Sequence, residues 1–202
     1  MNKPKIALFL FVLTLFTLPA LLSFGIRYLP VEDQPPLGVT KKFYENVAIE
    51  DKVTVPYNNF NGIGFSFKNP NLQNKEEIIL KIINENGQLA RTITLSGWNI
   101  PDGGFVRFMF EPITDSKGRK YDLMLTSPSS RKEEALEVYL SRDSDTAASV
   151  TYYKPLSALI LIRDIYTNLN MRFWEDRTFA LFYFGIISLG FGYIVFGKGK
   201  TI

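Results

Sequence analysis

Two long runs without a charged residue stand at opposite ends of this chain, and they constrain it more than any other feature. Residues 6–26 read IALFLFVLTLFTLPALLSFGI, and residues 178–196 read TFALFYFGIISLGFGYIVF. As a helix rising about 1.5 Å per residue, either run is long enough to cross a hydrocarbon layer about 30 Å thick. The first run also fits a secretory signal, with Lys3 and Lys5 ahead of it, Pro19 as a breaker and Ser23-Phe24-Gly25 as a small-x-small cleavage site. Its apolar character continues past Pro19 through Ala20, Leu21 and Leu22, which favours a retained anchor. For the second run the alternative is a buried core helix. Its length, the preceding Phe173 and Trp174 at the level of an aromatic belt, and the following Lys198 and Lys200 all favour lipid.

The flanking lysines predict the topology. Lys3 and Lys5 before the first run, and Lys198 and Lys200 after the second, mark both termini as cytoplasmic, which leaves the middle of the chain on the far side of the bilayer. The net charge of +3 comes from these ends, because bases and acids balance between residues 37 and 154. A nucleic-acid partner would need a basic face to neutralise phosphates, and none is expected here. With no cysteine and no histidine, disulfides, thiolate or imidazole metal sites, cysteine nucleophiles and Ser-His-Asp chemistry are all excluded.

Between the runs the periodicity is that of strands. Residues 27–38 carry Pro30, Pro35 and Pro36 beside Glu32, Asp33 and Gln34, and are expected to be an extended linker. Beyond it Ile63, Phe65 and Phe67 alternate with Gly64 and Ser66. Val106, Phe108 and Phe110 alternate with Arg107 and Met109, and Tyr121, Leu123 and Leu125 with Asp122 and Met124. Further strands are expected at 44–49, 53–57, 77–83, 90–95, 136–140, 150–153 and 158–166, with Pro56 confining the second of these to an edge. Asn86-Gly87 is a hairpin signal, and Asp115 with Gly118 suits a type I turn. Some ten short strands without an amphipathic helix predict an all-β fold, a jelly-roll-like β-sandwich ectodomain flanked by N- and C-terminal transmembrane helices. The expected organisation is an anchor or signal segment at 1–26, the linker, an extracytoplasmic β-sandwich at 39–168, a transmembrane helix at 171–197 and a cytoplasmic tail at 198–202.

The stretches GIGFSF, EEIILKIINENGQ, FVRFMFEPITDSKGRKYDLMLTSP and ALILIRDIYT follow one another in an order that resembles the galactose-binding-like jelly-roll domains of bacterial surface and membrane proteins. The likeness covers roughly half the chain as a pattern of strands and turns. It implies a fold and brings no site residues with it.

Candidate ligand residues come from the side chains themselves. Trp98 and Asn99, followed by Asp102 and Arg107, form the most site-like cluster: an indole face stacks on a sugar ring, while amide, carboxylate and guanidinium groups bond its hydroxyls. The bland alternative is one tryptophan covering the end of the core. Asp115, Ser116 and Asp122 offer oxygen ligands for calcium but lack the spacing of a calcium loop, so turn formation explains them better. Glu133, Glu134 and Glu137 beside Arg131 and Lys132 read as a solvated charge run rather than a carboxylate pair for glycoside hydrolysis. No metal or cofactor is expected. In the second apolar run Gly185, Ser188 and Gly192 are small residues that would let another membrane helix approach closely.

The function expected is that of a membrane-anchored, non-enzymatic envelope protein whose β-sandwich binds a glycan or a protein. The alternative is an accessory subunit of a membrane glycosyltransferase or export complex, docked through the C-terminal helix. The partners expected are the lipid bilayer, a glycan and a membrane protein.

Overall fold

The computed structural model describes residues 28–175 continuously, together with Lys5, Ile6, residues 8–11, Thr14, Thr178, Leu181, Phe182, Gly185, Ser188, Leu189 and Gly192. It divides into two compact units, Tyr28–Lys154 and a second formed by Met1–Arg27 with Pro155–Ile202.

The first unit is all β. Its strands are β1 (Leu29–Pro30), β2 (Leu37–Phe43), β3 (Ile49–Thr54), β4 (Phe60–Lys68), β5 (Glu77–Asn84), β6 (Leu89–Ser96), β7 (Phe105–Ile113), β8 (Lys120–Thr126), β9 (Leu136–Ser141) and β10 (Ser149–Tyr153). One sheet runs β1-β10-β4-β9-β2, with β7 on the other edge of β4, and the second runs β3-β8-β5-β6. Every pairing is antiparallel. This is a two-sheet β-sandwich, the architecture to which jelly rolls belong.

The core lies between the sheets and follows from alternation. Phe60, Ile63, Phe65 and Phe67 of β4 and Phe108 of β7 meet Ile78, Leu80 and Ile82 of β5 and Leu123 and Leu125 of β8, all at most 3% exposed. Fully burying one such side chain contributes about 1.5–3 kcal/mol. The rings interlock edge-on, Phe65 against Phe108 at 6.0 Å and Phe60 against Phe110 at 4.9 Å.

The outer side of β4 explains its glycines. A Cβ on Gly62 would stand 2.6 Å from the Met109 sulfur, and one on Gly64 would collide with the Phe105 ring, so Met109 and Phe105 of β7 occupy the space beside the two glycines. Residues 31–36 then bulge over the same face. Val31 N–H donates to Thr151 O at 2.9 Å, Arg142 N–H to Pro36 O at 2.8 Å, and the Gln34 amide reaches Ser66 Oγ at 2.6 Å.

Three sequence expectations are corrected. Residues 27–38 are not a free linker, because β1 and β2 both pair within the sandwich, with Pro30 in β1 itself and Pro35 and Pro36 in the bulge between the two strands. The segments 44–49 and 53–57 are replaced by β2 and by one strand, Ile49–Thr54. That strand is the edge expected from Pro56, which lies just beyond its end. Residues 158–166 are helical, in a helix Ala158–Glu175, so the sandwich ends at Lys154 rather than at 168. Ser157 supplies the reason, since its hydroxyl accepts the Ile160 N–H at 3.3 Å in the manner of an N-cap. The apolar run then repeats as a helix does, with Leu161 and Ile165 buried four residues apart.

In the second unit no helix among the described residues is long and apolar enough to cross a membrane. Most of both apolar runs, and the tail at 198–202, lie outside the described residues. The described positions within the runs are helical, with Phe9, Leu181, Phe182 and Leu189 exposed.

Candidate functional site

The Trp98 loop is built at one end of the sandwich by a buried polar brace. Where β4 ends, Asn69 turns inward at 1% exposure, and its amide nitrogen donates to the carbonyls of Asn74, Gly97 and Ile100 at 3.0–3.3 Å. Asn74, fully buried, bonds Ser130 Oγ at 2.7 Å and Glu134 O at 2.9 Å, and its oxygen accepts the Glu76 N–H at 3.1 Å. These contacts tie three separate loops together, and the side-chain amides of both Asn69 and Asn74 find partners. Gly97 is needed because a Cβ there would strike the Asn74 carbonyl.

On this brace a short turn, Gly97–Asn99, lifts Trp98 into solvent, where it is 58% exposed. Ser96 Oγ accepts the Trp98 N–H at 3.4 Å. The Lys75 ammonium lies 4.5 Å from the centre of the indole, so one ring face carries a cation. Asn99 is exposed beside it. Asp102 shares the loop, where one carboxylate oxygen accepts the Asn69 N–H at 2.9 Å and closes the brace.

Arg107 does not belong to this cluster. It stands on the outer face of β7, opposite Gly64 of β4, where Nη1 donates to the Tyr28 hydroxyl at 3.1 Å and the guanidinium lies 5.8 Å from the centres of both the Tyr28 and Tyr152 rings. Burial raises the Tyr152 phenol above its ordinary pKa, and the Arg107 charge opposes that shift. Sequence spacing placed Arg107 near Trp98 because only four residues separate it from Asp102. Within β7 it pairs opposite Gly64, midway along β4, rather than beside Asn69.

The sequence did not single out Asn69, Asn74 or Lys75. The signal available was two asparagines flanking a proline turn. That turn also contains Asn71 and Leu72 at positive φ of 54° and 51°, a conformation that L-residues adopt at a cost and that clusters near functional loops. Ser116, weighed as a calcium ligand, uses its hydroxyl to join the Tyr57 carbonyl and the Phe60 N–H, while Asp122 pairs with Lys52 at 3.4 Å. Glu133 and Glu134 lie in a turn, Lys132–Glu134, whereas Glu137 leaves the charge run altogether. From β9 it accepts a 2.6 Å bond from Thr40 and lies 3.6 Å from both Lys42 and Lys68. The Thr40 bond, then Lys68 and Lys42, hold its carboxyl below the usual range against the opposing effect of burial. Among the described residues no His, Cys, Asp and Glu group could hold a metal. Gly185, Ser188 and Gly192 are helical, and no described atom lies within 4 Å of a Cβ built on Gly185 or Gly192.

No family model matches the chain, and no curated protein does. Solved structures with similar outlines include the "Carbohydrate-Binding Module CBM36 in complex with calcium and xylotriose", at 10% identity and TM-score 0.32 over 63% of this chain and 99% of that one. The "xylan-binding module CBM15" matches at 8% identity and TM-score 0.37, over 63% of this chain and 89% of that one. Xylanase10C from Cellvibrio japonicus matches at 7% identity and TM-score 0.39, over 65% of this chain and 27% of that one. At such scores the likeness carries no argument; the sandwich is established by its strand pairing.

Proposed function

We propose that this chain is a membrane-anchored, non-enzymatic binding protein that presents the Trp98 loop to a glycan on the far side of the membrane from its termini. The observation that carries this reading is the placement of Trp98. The chain enters and leaves the sandwich at the Phe60 end of β4, where Leu29 pairs with Tyr153 and Tyr153 with Phe60. The Trp98 loop is fastened to Asn69, beyond Lys68 at the opposite end of the same strand. At about 3.3 Å per residue the two ends are roughly 25 Å apart. A half-exposed indole on a braced loop, far from both attachment points, is the geometry of a stacking platform held out into solvent.

Anchoring is supported by the two uncharged runs and by exposed Leu181, Phe182 and Leu189 on helical backbone. The absence of histidine and cysteine supports a non-enzymatic role.

Trp98→Ala tests the reading. The variant should lose glycan-array signal and fall by less than about 1 kcal/mol in stability, since an exposed cation–π contact contributes about that much. A wild-type chain without glycan signal, or a variant that retains it, would remove the glycan and leave a protein-binding module.

The second reading, an accessory subunit of a membrane glycosyltransferase or export complex, is supported by the small residues Gly185, Ser188 and Gly192 of the second apolar run, which would let another membrane helix approach closely. Its mark would be a membrane protein that copurifies with the wild type and is lost with Gly192→Leu.

A further inference from the structure

A β-sheet is lengthened only at an edge whose backbone is unpaired, and natural edges are commonly guarded by charge, proline or a bulge. β2, β3 and β7 are guarded in this way. β2 carries Lys41 and Lys42 and shifts register between Leu37 and Thr40, β3 carries Glu50, Asp51 and Lys52 in succession, and β7 has Arg107 midway and Pro112 near its end. β6, the outermost strand of the sheet β3-β8-β5-β6, is different. It reads LARTITLS, and its single charge, Arg91, is turned aside to donate to the Glu111 and Pro112 carbonyls of β7 at 3.0 and 3.3 Å. After one register shift opposite Ile83, it pairs regularly with β5 from Arg91 to Ser96.

The register shows which backbone groups of β6 are free. Thr94 stands opposite Ile79 and Ser96 opposite Glu77, and one step further Gly97 N–H donates to Glu76 O at 2.8 Å. Bonded and unbonded residues alternate along an antiparallel pair. Ile93 and Leu95 therefore bond to β5, while Thr92, Thr94 and Ser96 direct their N–H and C=O groups outward, where no further strand lies among the described residues. Thr92 and Thr94 are exposed, and Ile93 and Leu95 are partly buried against the core.

The side chains of this edge complement themselves. Turned antiparallel about Thr94, the segment Thr-Ile-Thr-Leu-Ser meets a second copy with like kinds of side chain opposed: Thr92 faces Ser96, Ile93 faces Leu95, and the two Thr94 residues face each other. Hydroxyls then pair on the outer side and branched alkyl groups on the inner side, with no like charges opposite one another. We propose that β6 pairs with β6 of a second copy of this chain across a two-fold axis at Thr94, joining two four-stranded sheets into one continuous sheet.

The test uses the full chain in detergent, where no native cysteine competes. Directly opposed residues of a bonded antiparallel pair lie about 5.5 Å apart between Cα atoms, within the reach of a disulfide. On mild oxidation Thr94→Cys should therefore form a covalent dimer several-fold faster than Lys52→Cys, which is exposed on β3 at the other edge of the same sheet. By light scattering the wild-type chain should be a dimer at micromolar concentration. Thr94→Lys, which sets two ammonium groups against each other, should be a monomer with the wild-type denaturant midpoint. Equal oxidation rates at the two cysteines, or a dimer that survives Thr94→Lys, would place the contact elsewhere and overturn the proposal. A wild-type chain that stays monomeric would overturn it as well. A monomer whose Thr94→Cys cross-links in cells to a different protein would give the edge to that protein's strand and overturn the second copy.

Discussion

Leu29 pairs with Tyr153 across two neighbouring antiparallel strands, so the chain enters and leaves the sandwich side by side. The pairing makes residues 28–36 part of the domain. A two-residue strand, the Val31 bond to Thr151 and the Gln34 bond to Ser66 hold them there. It also makes Lys154 the last residue of the unit.

A fragment of residues 28–154 should therefore melt higher than one of residues 37–154, by roughly 3–6 °C for each kcal/mol of edge pairing retained. Extending it to residue 168 should add nothing to its melting temperature, because that extension is helix of the other unit. Differential scanning calorimetry of the three fragments decides the matter, and a gain on extension to 168 would contradict the boundary.

The brace beneath Trp98 should be more sensitive than Trp98 itself. Asn74→Ala removes a buried amide that satisfies Ser130, the Glu134 carbonyl and the Glu76 N–H. The groups left unpaired should cost about 2–3 kcal/mol, read as a fall in denaturant midpoint. A loss as small as that expected for Trp98→Ala would show that the loop does not depend on the brace.

Glu137 sets an acid limit. Its carboxyl titrates below the ordinary value of 4.5, first because Thr40 donates to it and then because Lys68 and Lys42 lie nearby. A lowered folded-state pKa means that the ionised form stabilises the fold above the unfolded value, and that this contribution disappears as pH falls through the lowered one. Glu137→Gln should thus be less stable than the wild type at pH 7, and the gap should close as the pH is taken well below 4.5. Denaturant midpoints across that range measure it. A gap that stays constant would show that the charge contributes nothing.

What the sequence determined by itself was whatever depends on neighbours along the chain. Alternation in GIGFSF and FVRFMF assigned β4 and β7 and their inward faces, and Asn86-Gly87 marked the turn between β5 and β6, where Gly87 takes a φ of 74°. The same local logic failed at residues 158–166, where an apolar run without strict alternation is compatible with strand or helix, and the N-cap bond from Ser157 settles it.

Tertiary structure alone decided what depends on distant pairing. Prolines and acids made 27–38 look like a tether, yet strand partners more than a hundred residues away claim both of its ends. Arg107 and Trp98, nine positions apart in the chain, take up different settings: Arg107 lies opposite Gly64, midway along β4, and Trp98 lies in the loop beyond its Lys68 end. Arg107 reaches Tyr28 across the face of β4, while Trp98 is fixed by an asparagine brace drawn from three loops. Sequence periodicity reports which face a side chain takes, but not which strand lies beside it. The register of an antiparallel sheet is set by the packing of all its strands at once, and it is this register that sets Arg107 opposite Gly64, midway along β4, while the Trp98 loop is fastened beyond Lys68.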